Sequence, residues 1–192
     1  MWKIKIKIKI AEIIKKIPSD YNDIGKILFI YRYLGKKIKY DKKIAKLNYN
    51  ERKLHDMNSI NDVLFNNKGV CSSFSVTFRI LMDAIGIECQ VINSKSHSWN
   101  VVKLNGTWYH VDLTWYLDNI KHNYQLEYFL KSEKYMLKDE YHQFYTYYAD
   151  EENISFFDAI FPSLKFPAKS GKHHIITAFS GGISTGTSLT LT

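Results

Sequence analysis

The sequence predicts an α+β fold in which N-terminal helices, one of them led by a cysteine, pack on an antiparallel β-sheet. Two apolar stripes carry the helices. Ile24, Ile27, Leu28, Tyr31 and Leu34 form the first, and Phe74, Phe78, Leu81, Met82 and Ile85 the second, each at the spacing of a one-sided helix. The third observation carries the sheet: Asn105-Gly106 separates two alternating runs, the strongest short-range hairpin signature.

Taken in order, residues 3–10 alternate lysine and isoleucine, which predicts a half-buried strand with Ile4, Ile6, Ile8 and Ile10 on one face and an exposed lysine edge. From Ile10 the spacing through Ile13, Ile14 and Ile17 predicts a short helix stopped by Pro18, and the same residues are compatible with a helix that begins earlier. Ser19 or Asp20 is placed to cap a helix over about residues 21–36. Ile38-Lys39-Tyr40-Asp41 breaks that period, and residues 42–58 are polar and lysine-rich, a loop or short helix. Asn66-Asn67-Lys68-Gly69 then forms a glycine-led turn that delivers Cys71 to the first turn of a helix, which Gly86 terminates. Residues 87–93 read as a strand in which Cys89 is a small core residue.

A two-residue type I′ turn at Asn105-Gly106 sets the hairpin register. Leu104 falls opposite Thr107, Val102 opposite Tyr109, Asn100 opposite Val111, and Trp99 opposite Asp112. Side chains alternate, so Val102, Leu104, Tyr109, Val111 and Leu113 form the face that packs on the core. His97, Trp99, Val101 and Lys103 share the other face with Trp108, His110, Asp112 and Thr114. His97 and Asp112 thereby become diagonal neighbours, with Cβ atoms roughly 7 Å apart, within reach of a side-chain hydrogen bond. His110, on that same face, reads as a solvent-facing strand histidine.

These placements suggest a chemistry. At a helix start, unpaired backbone N–H groups and the positive end of the dipole favour the thiolate of Cys71. Alone, such a cysteine is more readily a buried structural residue, and His97 or Asp112 alone is an ordinary polar or capping residue. Together they supply a nucleophile (Cys71), a base (His97) and a group that orients the base (Asp112).

At this point the residues match a family. Gly69-Val70-Cys71, His97-Ser98-Trp99-Asn100 and the run from Asn105 to Trp115, which contains Trp108-Tyr109-His110-Val111-Asp112, closely resemble the core of the transglutaminase-like (transglutaminase/protease) superfamily, in the manner of its small microbial members. Ile38-Lys39-Tyr40-Asp41 is similar to the end of that family's helix before the cysteine, and Tyr128-Phe129-Leu130-Lys131-Ser132 to a segment after the aspartate. The resemblance spans about residues 20–135. It implies a papain-like cysteine-site fold with Cys71, His97 and Asp112 as catalytic residues. Leu113 stands where proline is usual after the aspartate, and Ser72-Ser73 replaces the commoner acidic-glycine pair, a change that bears on the substrate groove. Tyr40 is the candidate second oxyanion donor beside the Cys71 N–H, with a packing aromatic as its alternative; Trp99 and Trp115 are candidate walls of the site.

The functional expectation is a cysteine-dependent amide hydrolase or acyltransferase acting on a protein or peptide through a thioester on Cys71, with hydrolysis favoured. The alternatives are an amine-transferring transglutaminase and a non-catalytic interaction module with a basic N-terminal surface. No cofactor is expected, and no histidine–cysteine spacing of metal type occurs; His173-His174 is too isolated to make a metal site.

Composition narrows the partners. The net charge of +8 suggests nucleic acid, but only three of the 27 basic residues are arginine (Arg32, Arg52 and Arg79), the usual reader of phosphates and base edges. Residues 1–53 hold 16 basic and 5 acidic side chains, so the surplus sits at one end as a solvated face, and nucleic acid is not the expected partner. No apolar run is long enough for a membrane span, and the opening lacks the uninterrupted apolar core of a secretory signal. A reducing, cytoplasmic location is expected, or a secreted one if the chain is trimmed from a precursor; a Cys71–Cys89 disulfide is disfavoured if Cys71 is the working thiol. The catalytic domain is expected over residues 1–165. Tyrosine-rich residues 121–150 supply helix and strand pieces that close it, and an apolar run follows at 154–161. Residues 166–192 form a Gly/Ser/Thr-rich tail or terminal strands.

Overall fold

The computed structural model describes residues 2–47, 51, 59–94, 96–119, 126–138 and 140–143. Its first element departs from the sequence expectation. Trp2–Ile14 is one helix, α1, rather than a strand leading into a helix. Strict Lys-Ile alternation also fits a helical stripe: Ile6, Ile10, Ile13 and Ile17 lie about one or two turns apart and pack on the core, whereas Ile4 and Ile8 remain exposed. A helix closes its own backbone hydrogen bonds, where a strand would need a ladder partner.

Helix α2 (Asp23–Lys37) is capped by Asn22, not by Ser19 or Asp20: Asn22 Oδ1 accepts from the Gly25 N–H at 2.9 Å. Asp23 in its first turn and Lys36 and Lys37 in its last complement the helix dipole. The expected stripe of Ile27, Leu28, Tyr31 and Leu34 is buried. After α2 the chain enters a two-residue strand, β1 (Lys39–Tyr40), and then a short helix, α3 (Lys42–Ala45), whose first N–H groups are capped by the Asp41 carboxylate. Helix α4 (Ser59–Asn66) follows, and Asn67, at φ 53°, turns the chain into β2 (Lys68–Gly69).

Strands β1 and β2 pair in parallel, Lys39 with Lys68 and Tyr40 with Gly69. The Asp41 N–H extends the ladder to Gly69 O at 2.7 Å, and Lys68 reaches the Asp41 carboxylate at 3.3 Å. Gly69 is therefore a strand residue, and the turn belongs to Asn67. Glycine is required at 69 because an added Cβ would stand 2.9 Å from Ser73 Cβ and 3.1 Å from both Phe74 and Val63. This clip holds the segment that leads into helix α5 (Cys71–Ala84). Phe74, Phe78, Leu81 and Met82 of α5 are buried as the stripe predicts, and Gly86 at φ 78° ends the helix.

The main sheet is antiparallel in the order β3-β4-β5-β6, with β3 Cys89–Asn93, β4 Ser98–Leu104, β5 Thr107–Val111 and β6 Phe129–Lys131. The hairpin register is the expected one, with Leu104 opposite Thr107, Val102 opposite Tyr109, and Asn100 opposite Val111. Asn105 (φ 49°) and Gly106 (φ 80°) supply the two left-handed residues of the turn. Cys89, Val102, Tyr109 and Val111 join the core shared with α2 and α5. The opposite face is covered too: Trp99, Val101 and His110 are buried, and helix α7 (Glu133–Met136) packs against β5. His110 is thus fully buried rather than solvent-facing.

Strand β5 stops at Val111. Thr114, expected to continue the strand, lies instead in helix α6 (Leu113–Asn119), and Leu113 is its first, buried residue. Tyr116 of α6 packs its ring over Gly35 of α2, where any Cβ would overlap it. Strand β6 joins β5 across a bulge: Leu130, at φ 52°, is unpaired between Phe129, opposite Val111, and Lys131, opposite His110. Of residues 121–150, the described parts supply β6, α7 and a single 3₁₀ turn (Glu140–His142). The apolar run at 154–161, His173-His174 and the proposed tail lie outside the described residues.

Candidate active site

Cys71 is the first residue of α5 and is half-buried. Ser75 Oγ donates to its carbonyl at 2.8 Å. The helix is fixed against the hairpin by Asn100, whose Nδ2 donates to Ser75 O at 2.9 Å and to Gln90 O at 3.3 Å. One buried amide therefore ties the first turn of the cysteine helix to the strand that follows His97. Ser73 is buried beside Gly69, so of the Ser72-Ser73 pair only Ser72 is partly accessible.

His97 sits just before β4. Ser94 Oγ accepts its backbone N–H at 3.1 Å, and the Ser94 N–H donates to its carbonyl at 2.9 Å, closing a tight turn. Its Nε2 lies 2.5 Å from Asp112 Oδ2, so the diagonal contact expected from the register is made. Burial disfavours the imidazolium, but hydrogen bonds to Asp112 and Cys71, and their charges, outweigh that and push the His97 pKa up to about 10. Nε2 is engaged by Asp112 Oδ2, which leaves Nδ1 as the ring nitrogen available for exchange with a thiol. Trp99 stacks on the ring at 5.8 Å and 15°, and Trp115 meets it edge-on at 6.3 Å. Both tryptophans thus flank His97.

Asp112 is fully buried and serves two neighbourhoods. Oδ1 caps α6, accepting from the Thr114 and Trp115 N–H groups at 2.8 and 3.2 Å. Oδ2 accepts from His97 and from a second histidine, His142, at 2.8 Å. Burial alone would raise its pKa, but the bonds from His142 and His97 hold the carboxyl below the usual range. Its backbone is also fastened, N–H to Tyr128 O at 2.9 Å and carbonyl from the Tyr31 hydroxyl at 3.1 Å.

His142 is absent from the sequence prediction. It lies in a tyrosine-rich run without apolar period, 30 residues beyond Asp112, and only tertiary folding brings it there. His110 is held differently: its Nδ1 accepts from Trp99 Nε1 at 2.9 Å, and burial, with the nearby His142 charge, pushes its pKa down to about 3. It is a neutral core group. Tyr40 lies opposite Gly69 with its ring edge-on to Phe74 at 6.3 Å, and is partly exposed.

His97, Asp112 and His142 form a compact buried group of three metal-ligand types. The separations of 2.5 and 2.8 Å are hydrogen-bond lengths. Ligand atoms around a tetrahedral zinc stand roughly 3.3 Å apart, as follows from bonds of about 2.0–2.1 Å. At the observed separations both imidazoles bond to one carboxylate oxygen. Chemically, the cluster can take a proton from the Cys71 side of His97 and stabilise the resulting imidazolium from the Asp112 side.

No curated protein matches the chain. Among solved structures, one described as the crystal structure of a TGase aligns at 16% identity with a TM-score of 0.48, over 58% of this chain and 32% of its own. The chain thus spans about a third of that structure's length. Among the described residues no helix is long and apolar enough to cross a membrane. The model of the transglutaminase-like superfamily matches residues 10–113, more than half of the chain, from within α1 to just past Asp112, and the chain belongs to that superfamily.

Proposed function

We propose that the chain is a cysteine-dependent amide hydrolase in which Cys71 is the nucleophile, His97 the proton shuttle and Asp112 the group that orients it. The observation that carries this reading is His97 itself, bonded through Nε2 to the buried Asp112 carboxylate and close enough to Cys71 for the thiol to raise its pKa. Cys71 Sγ attacks the carbonyl carbon of a protein or peptide amide, forming a C–S bond and an oxyanion. The Cys71 N–H at the helix start, with Tyr40 as the candidate second donor, faces that oxygen. Collapse breaks the C–N bond, and His97 gives its proton to the departing amine. Water, deprotonated by His97, then attacks the thioester, releasing the acid and the Cys71 thiol.

Hydrolysis is the favoured outcome because water takes the acyl group unless the site excludes it. Amine transfer uses the same residues and differs only in the acceptor. We assign the catalytic domain to residues 1–165 and residues 166–192 to a tail or terminal strands. A working thiol suits a reducing, cytoplasmic compartment.

The test is incubation of the protein and of Cys71→Ala with glutamine-containing peptides and an excess of labelled amine. Release of ammonia or peptide fragments that Cys71→Ala abolishes is expected; amine incorporation means transfer. Amide cleavage unchanged in Cys71→Ala would overturn the assignment.

A further inference from the structure

We propose that His142 is a positioning residue of this site: by donating from Nε2 to the same Asp112 oxygen that His97 uses, it fixes the carboxylate and limits how strongly Asp112 can hold charge on His97. The inference rests on the reading of His97 and Asp112 given above, and adds a residue to it.

An ionised carboxylate only accepts hydrogen bonds. Both Nε2 atoms lie within bonding distance of Oδ2, so both rings must carry a proton on Nε2. Oδ1 is already committed to two backbone N–H groups, so the carboxylate cannot swing to serve one histidine at a time. The two imidazoles therefore share one oxygen's charge, and each weakens the other's claim on it.

The His142 ring is held in that orientation on several sides. It stacks on Tyr128 at 5.2 Å and 24°, and meets Trp99 edge-on at 5.0 Å and His97 edge-on at 5.2 Å, with Trp115 at 6.1 Å. It is fully buried. Among the described residues the titratable groups around it are Asp112 and His97 at the hairpin ends, His110 on β5, Tyr128 before β6, and Tyr141 beside it against Trp115, with Cys71 beyond His97. An aromatic plug could fill the same space without a donor, so the proposal turns on the N–H.

Two variants separate these roles. His142→Phe keeps the ring and removes the donor; His142→Gln keeps a donor at about the Nε2 position. In histidine-labelled protein the nitrogen NMR signals report each ring's tautomer and the titration of His97 without any substrate. Nε2 of His142 is expected to be protonated in the wild type. The His97 midpoint is expected to rise in His142→Phe by about half to one pH unit, three- to tenfold in proton affinity, and to stay near the wild-type value in His142→Gln. On an amide substrate, His142→Phe should lower kcat with little change in KM. A bare Nε2 on His142, an unmoved midpoint in His142→Phe, or Gln shifting His97 as far as Phe, overturns the proposal. The tautomer and the Gln variant keep the test decisive if the Phe variant does not fold. Failure of the nucleophile assignment would appear instead in Cys71→Ala, whose outcome does not depend on the His97 titration.

Discussion

Asp112→Asn separates the two duties of the most heavily bonded residue in the site. The asparagine carbonyl can remain where Oδ1 is and keep both cap bonds, at 2.8 and 3.2 Å, so α6 should still start at Leu113. The amide nitrogen then replaces Oδ2 and presents donors to two ring nitrogens that are themselves donors. Each histidine must move its proton to Nδ1. In the proposed mechanism Nδ1 of His97 is the atom that serves Cys71, so the ring can no longer accept a proton from the thiol. The rate of amide cleavage should fall by about 10³–10⁴, the cost of a wrong tautomer at an intact site. Stability should change much less. Two charge-assisted bonds become neutral ones, a loss of about 1 kcal/mol each, while the penalty for a buried charge, of order several kcal/mol, is removed. The opposing terms leave a net change within about 2 kcal/mol. Asp112→Ala, by contrast, also loses the cap, a further ~0.5–2 kcal/mol, and leaves both histidines short of an acceptor. The assays are peptide-amide turnover, iodoacetamide labelling of Cys71 near pH 6.5, and urea unfolding. Activity within tenfold of wild type in Asp112→Asn, or an Asn variant as unstable as the Ala variant, would refute the reasoning.

The two shifted histidines predict a stability maximum near pH 6.5, read as urea midpoints across pH. The folded His97 value, about 10, is above the unfolded one, so its contribution is full below about 6.5 and fades as pH rises toward 10. The folded His110 value, about 3, is below the unfolded one, so stability is also lost as pH falls from about 6.5 toward 3, and His110→Phe should flatten that acid limb alone. Gly35→Ala would place a Cβ 2.1 Å from the Tyr116 ring. Overpacking of about 1–3 kcal/mol should outweigh a helix-propensity gain of about 1 kcal/mol, and the added replacement Tyr116→Leu should recover part of the loss in denaturant unfolding. Asn100→Ala removes the side-chain bonds that its amide makes to the Ser75 and Gln90 carbonyls. Destabilisation of about 1–3 kcal/mol is expected, with slower Cys71 alkylation because the cysteine helix is no longer tied to β4.

What the sequence made legible follows the reach of each local rule. The Asn105-Gly106 turn has few backbone solutions, so its register, and with it the meeting of His97 and Asp112, could be counted off residue by residue. The α5 stripe was equally plain because Gly86 closes it. At α1, eight alternating residues satisfy period 2 and a helical stripe alike, and only packing of Ile6 and Ile13 decides between them. His110 was misjudged because a hairpin was assumed to be wet on one face; α7 and the 3₁₀ turn cover that face, and nothing in the hairpin announces them. The β1–β2 clip is two residues long, too short for any periodic signal. His142 is the deepest omission. Its partner oxygen becomes available only once β5 ends at Val111 and the chain turns into α6, a boundary set by the Asp112 cap itself.

That dependence has a consequence for how the site and the fold share residues. Asp112 receives bonds from His97, His142 and the first N–H groups of α6, and its backbone is tied to Tyr31 of α2 and Tyr128 before β6. The carboxylate is held in place by the fold itself, so it need not reorganise as the His97 proton is given up and regained. The same bonds make the group a junction of α2, the hairpin, α6 and the 3₁₀ turn that carries His142. A lesion in any of them displaces the carboxylate as well as the core. Cys71 is held by separate means, the β1–β2 clip and the Asn100 amide. The proposed nucleophile and its proposed base are thus anchored through different parts of the chain, and their alignment depends on how α5 seats against β4. Loss of function without loss of fold should therefore concentrate at that seam, and combined loss of both at the neighbours of Asp112.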